Sequence, residues 1–82
     1  MQSFLIVFFM NIMNLYIKIG QQIRDLRISQ NLSIQELSDK LDIEYNNLIR
    51  IERGRTNPTL GTLYKISQVL NVKLRDIVDI ED

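Results

Sequence analysis

An all-α fold, a compact orthogonal bundle of five short helices, is predicted by three observations. From Ile17 onward the apolar residues recur at spacings of three and four, with no alternating strand pattern in competition. The periodic runs are bounded by residues that stop or start helices, namely Asn31, Ser33, Gly54, Pro58 and Thr59. The connections between them are only a few residues long, and neither an internal repeat nor a low-complexity linker divides the chain. At 82 residues the protein has room for one small core but not for a buried catalytic cleft beside it.

The first helix is read from Ile17 to about Gln30, because Ile19, Ile23 and Leu26 fall on one face. Asn31 follows as a C-cap, since Asn tolerates a left-handed backbone. Ser33-Ile34-Gln35-Glu36 is a capping box that begins the second helix, with Leu37 and Leu41 buried and Ile34 at the edge. Ser38 is small enough for another helix to approach closely. After the turn Asp42-Ile43-Glu44, the third helix runs from Tyr45 to Arg53 with Leu48 and Ile51 inward and Ile43 just upstream. Gly54 ends it, and Arg55-Thr56-Asn57-Pro58 is a loop because proline cannot continue a helix. Thr59 caps a fourth helix through Leu70, with Leu60, Leu63, Tyr64, Ser67 and Leu70 on its inner side. A last short helix offers Leu74, Ile77 and Val78.

Residues 1–16 form an apolar N-terminal arm, 17–79 the helical domain and 80–82 an acidic tail. The arm has seven consecutive apolar residues, Phe4 to Met10, followed by the interruptions Asn11 and Asn14. That run is short of the roughly 18 to 20 residues a membrane span needs, and it lacks the basic start and small-residue cleavage site of a signal peptide. No transmembrane helix and no membrane partner are therefore expected. Three readings stay open: an extension ahead of a natural start at Met13, an arm covering its own core, or an arm pairing with a second subunit. Its density of Phe, Ile and Val favours an extended conformation, and an exposed strand of that kind needs covering.

The chain contains no Cys and no His. Thiol nucleophiles, disulfides, zinc fingers and the commonest general base are thereby absent, and no metal-ligand cluster or phosphate-cradling glycine loop is present. An enzyme is not expected, nor a metal, cofactor or small-molecule ligand. Lack of Cys suits a cytoplasmic location. The net charge is zero but unevenly spread: residues 17–75 hold ten Lys or Arg against six acids, and Asp76, Asp79, Glu81 and Asp82 balance them. A basic centre with an acidic tail fits a polyanionic partner that the tail avoids.

The third helix carries the chemistry. Asn can pair bidentately with adenine and Arg with guanine in the major groove, each worth about 1 to 3 kcal/mol of discrimination. Asn46, Asn47 and Arg50 supply these groups at helical spacings, and Tyr45 can meet a phosphate or a thymine methyl. On the residues alone, a plain solvated helix surface weighs about equally.

From Gly20 to Asp76 the chain resembles the lambda-repressor-like helix-turn-helix family, also called Cro/C1 or Xre type. The marks are IGQQIRDLR, LSIQELSDKL, LIRIERGRTNPTLGTLYKIS and LNVKLRDI, of which I-E-R-G followed by P-T-L is the most specific. The resemblance implies that the second helix positions and Tyr45 to Glu52 recognises. It implies base reading by Tyr45, Asn46 and Arg50, and backbone contacts by Gln35, Asn47, Arg53, Arg55, Thr56 and Asn57. It also implies a structural ion pair between Arg27 and Glu52. Three departures stand out: Ile34 where a phosphate-gripping Gln is common, Asp42 at a turn position usually held by Gly, and Glu44 where Ser or Thr is usual.

The function expected is a sequence-specific transcriptional regulator that binds double-stranded DNA, at an inverted repeat, as a homodimer, as in restriction-modification controller proteins and compact phage-type repressors. Leu74, Ile77 and Val78 are the dimer-face candidates. The competing function is a protein-interaction module, antitoxin-like, that binds a partner chain through the N-terminal arm. Three arginines within six residues, Arg50, Arg53 and Arg55, argue against it.

Overall fold

A computed structural model describes residues 2–79. Five helices follow in order: α1 Gln2–Ser29, α2 Ile34–Leu41, α3 Tyr45–Glu52, α4 Leu60–Val69 and α5 Leu74–Val78. Among the described residues there is no strand. α1 packs on α3 and α5, α2 on α3 and α4, and α4 on α5, so that one core is enclosed from all five. Ile19, Ile23, Leu37, Leu41, Leu48, Ile51, Leu63, Ile66, Leu70 and Ile77 form it. The acidic tail at 80–82 lies outside the described residues.

The local signals act as written. Ser33 Oγ accepts from the Glu36 amide at 3.0 Å while the Ser33 amide donates to Glu36 Oε1 at 3.0 Å, closing the capping box. Thr59 Oγ1 accepts from the Thr62 amide at 3.1 Å and begins α4. Asn31 adopts φ 59° just past α1, and the Leu32 amide donates back to the Arg27 carbonyl at 3.1 Å. At the α2–α3 turn Asp42 takes the left-handed conformation, φ 56° and ψ 45°. The turn therefore keeps its geometry without glycine, at the modest cost an Asp carries there.

The N-terminal arm departs from expectation. It is helical rather than extended, and α1 runs without a break for 28 residues across the boundary placed at residue 17. Helix extension from an existing nucleus fixes one residue per hydrogen bond, whereas a strand requires a partner strand that this fold lacks. The result is a helix long and apolar enough to cross a membrane, by length and composition. Counting Phe4–Met10 alone hid this, because two Asn residues do not interrupt a helix.

Two further differences concern faces. On α4 the inner row is Leu63, Ile66, Ser67 and Leu70; Leu60 is 68% exposed and Tyr64 55%. The buried face is rotated toward Ile66 because α4 is clasped between α2 and α5. On α5, Ile77 is 0% exposed and belongs to the core, so it is no dimer contact; Leu74 is partly buried against the same core and Val78 is exposed. A five-residue helix must give its best apolar side chain to its own domain.

Gly20 sets how closely α1 approaches α3. A Cβ there would overlap the backbone carbonyl oxygens of Ile51 and Glu52. Gly54 is doubly constrained, by φ +69° and by the Ile17 backbone, which a Cβ would meet at 2.5 Å. Gly20→Ala should destabilise the domain by about 1 to 3 kcal/mol through overpacking, read as a lowered midpoint in chemical denaturation.

Candidate nucleic-acid interface

α3 is held on its inner side by Leu48, Ile51 and Glu52, all buried. Once those three face inward, the helical period sends Asn46 and Arg50 outward, and both are exposed, as is Tyr45. Asn47 is half-buried. Among the described residues, none of these four side chains has a hydrogen-bond partner within the chain. The polar face is thus available, and it rests on a rigid element.

Arg27 and Glu52 form the anchor beneath it. Arg27 Nε donates to Glu52 Oε2 at 2.7 Å and Nη2 to Oε1 at 3.0 Å, a bidentate pair joining α1 to the end of α3. Arg27 Nη1 donates in addition to the Leu32 carbonyl at 2.8 Å, which ties in the α1–α2 connection. Both side chains are largely buried, at 10% and 4% exposure. The charges are therefore spent inside the protein and are not available to phosphate.

The remaining polar residues divide by position. Gln35 is exposed in the first turn of α2, with its amide nitrogen donating to Asp39 Oδ1 at 2.8 Å. Ile34, beside it, is partly buried against the core and makes no polar contact. Arg53, Arg55 and Asn57 are exposed and Thr56 is half-buried, in the connection that leaves α3. Glu44 stands at the N-cap of α3 without a side-chain cap bond, its carboxylate at the positive end of the helix. The Glu36 carboxyl is held below the usual carboxylate range, first by the hydrogen bond from the Ser33 amide and then by the Ser33 side chain.

A feature that periodicity did not single out is the flank contributed by α1. Gln21 and Arg24 line an open cleft together with Tyr45, Arg53 and Arg55. Arg24 thereby joins the loop arginines in one basic strip, although nothing in the sequence joins them. The only available signal was that Gln21 and Arg24 lie three apart, just off the apolar row of α1.

An exposed amide-and-guanidinium helix face, fixed by an internal ion pair and flanked by basic residues, defines a helix-turn-helix DNA-binding domain. Residues 23–77 match the family model described as helix-turn-helix, and the chain belongs to that family. It is 34% identical over 67 residues to the control protein C.BamHI of Bacillus amyloliquefaciens, covering 80% of this chain and 83% of the relative. It is 37% identical over 62 residues to the transcriptional regulator SinR of Bacillus subtilis, covering 74% of this chain and 56% of that protein. Among solved structures it is similar to the restriction-modification controller protein C.AhdI from Aeromonas hydrophila, with a TM-score of 0.73 and 27% identity over 76% of this chain and 94% of that one. The chain is a DNA-binding transcription regulator, not an enzyme.

Two predictions follow from the buried pair and the cap. Glu52→Ala should cost about 3 to 5 kcal/mol by stranding the Arg27 charge, and replacing both residues by apolar ones of similar volume should recover much of that loss, as read by thermal unfolding. For Glu36 the folded carboxyl titrates below its unfolded counterpart, so its stabilisation is present above the ordinary carboxylate range and is lost as pH falls through the folded value. The stability difference between wild type and Glu36→Ala should therefore shrink on acidification in a pH series of melting curves.

Proposed function

We propose that this regulator binds an inverted-repeat operator as a homodimer in the cytoplasm, with Tyr45, Asn46 and Arg50 reading base edges. The observation that carries this reading is the outward, unpaired presentation of Asn46 and Arg50 on a helix whose opposite side is locked by Leu48, Ile51 and Glu52. Gln35, Asn47, Arg53, Arg55, Thr56 and Asn57 contact the sugar-phosphate backbone and set the register without reading sequence. Arg24, on the same basic strip, adds to them.

One such helix reads only a few base pairs. Two half-sites, about 10 base pairs apart centre to centre, give useful specificity. With Ile77 committed to the core, Val78 and the exposed part of Leu74 carry the dimer contact, joined by Leu60 and Tyr64 on the outer side of α4. Regulation then follows protein concentration through dimerisation, the mode suited to a controller protein or a compact repressor.

Arg50→Ala should cost about 1 to 3 kcal/mol at a single operator position and relax preference there, whereas Arg55→Ala should weaken all duplexes evenly and lower the salt slope by about one. Fluorescence anisotropy across a salt series, with operator and scrambled duplexes, separates the two. Identical behaviour of both variants would sink the assignment of the reading face.

A further inference from the structure

From Ser3 through Ile17 no charged side chain occurs, a helical length of about 22 Å. This half of α1 lies outside the stretch that matches the family model, which begins at residue 23. Phe4 to Met10 are each between 50% and 74% exposed. Seven consecutive apolar residues clothe nearly two full turns, so no direction about the helix axis is polar there. Water is a poor solvent for such a segment.

We propose that the N-terminal half of α1 inserts into a lipid bilayer and anchors the DNA-binding domain to the membrane. A second copy does not suit the pattern. A paired helix covers the a and d rows and flanks e and g, and the remaining Phe, Ile and Val side chains would stay in water. Lipid is apolar on every side, as this helix is. A helix lying flat in the interface keeps a charged face; from Ser3 through Ile17 this one has only the uncharged Ser3, Asn11, Asn14 and Tyr16 as polar residues.

The edge of the segment agrees. Ile17 lies against Gly54, and the first fully buried residues of α1 among those described are Ile19 and Gly20. The first charged side chain, Lys18, falls at that same boundary, and Tyr16 stands just before it. An amphipathic aromatic followed by cations is the arrangement that membrane interfaces select, with the basic side cytoplasmic. The domain then stays on the side where DNA is found. Because about 22 Å is less than the roughly 30 Å of a typical hydrocarbon core, the bilayer thins locally around the helix.

The test is flotation of the full chain with phosphatidylcholine vesicles, with and without phosphatidylglycerol, at low and at 1 M salt. The wild type should float with both lipids and resist salt. Val7→Lys with Phe8→Lys should reduce partitioning by more than about a thousandfold, with the melting temperature and DNA affinity of the domain unchanged. Release of the wild type by salt, or binding only with phosphatidylglycerol, would show headgroup adsorption by the basic face and overturn insertion. A wild type that ignores vesicles and forms oligomers abolished by the two Lys substitutions would assign the arm to copies of this chain instead. An arm found cleaved from the protein in cells would make it an export signal, and would equally end the proposal.

Discussion

The reading helix is only as well placed as the junction between α1 and the C-terminal end of α3. Two features meet there: the bidentate Arg27–Glu52 pair and the close approach that Gly20 allows. A helix of two turns has little stability of its own. It acquires a fixed rotation because Glu52 is held by a charge from α1 while Leu48 and Ile51 fill the core. Rotation about the axis decides which side chains reach a duplex, so a buried interaction that never touches DNA sets the geometry of everything that does. Burying this pair is costly in desolvation, and its value here lies in orientation more than in net stability.

α1 is two helices in physical terms, continuous in backbone but not in environment. From Ile19 onward it presents one apolar row to a core and polar residues to water. Over Phe4–Met10 it presents exposed apolar side chains in all directions. The helix carries through because each added residue gains a backbone hydrogen bond irrespective of what surrounds it. What surrounds it is a separate matter of solvent, and that difference motivates the lipid anchor.

Most of the domain was legible from residues. The three-and-four spacing of Ile19, Ile23, Leu37, Leu41, Leu48 and Ile51, punctuated by Ser33, Gly54 and Thr59, defines helices because capping and periodicity are local properties. Position within a helix was harder wherever two apolar rows compete. Leu60 and Tyr64 fit the period of α4 as well as Ile66 does, and only the packing of α2 and α5 against α4 selects Ile66. Likewise Leu74, Ile77 and Val78 are alike in composition, but the core has room for one of them fully.

What the amino-acid order determined unaided was the set of helices after Ile17, their caps and the chemical equipment of α3, since these rest on contacts within a few residues. Tertiary structure alone decided the orientation of α5's apolar residues and the recruitment of Arg24 to the strip beside Arg53 and Arg55. Those depend on which surfaces meet across the chain. Neither spacing nor propensity encodes that, because the choice is made by the volume and charge of partners far away in sequence.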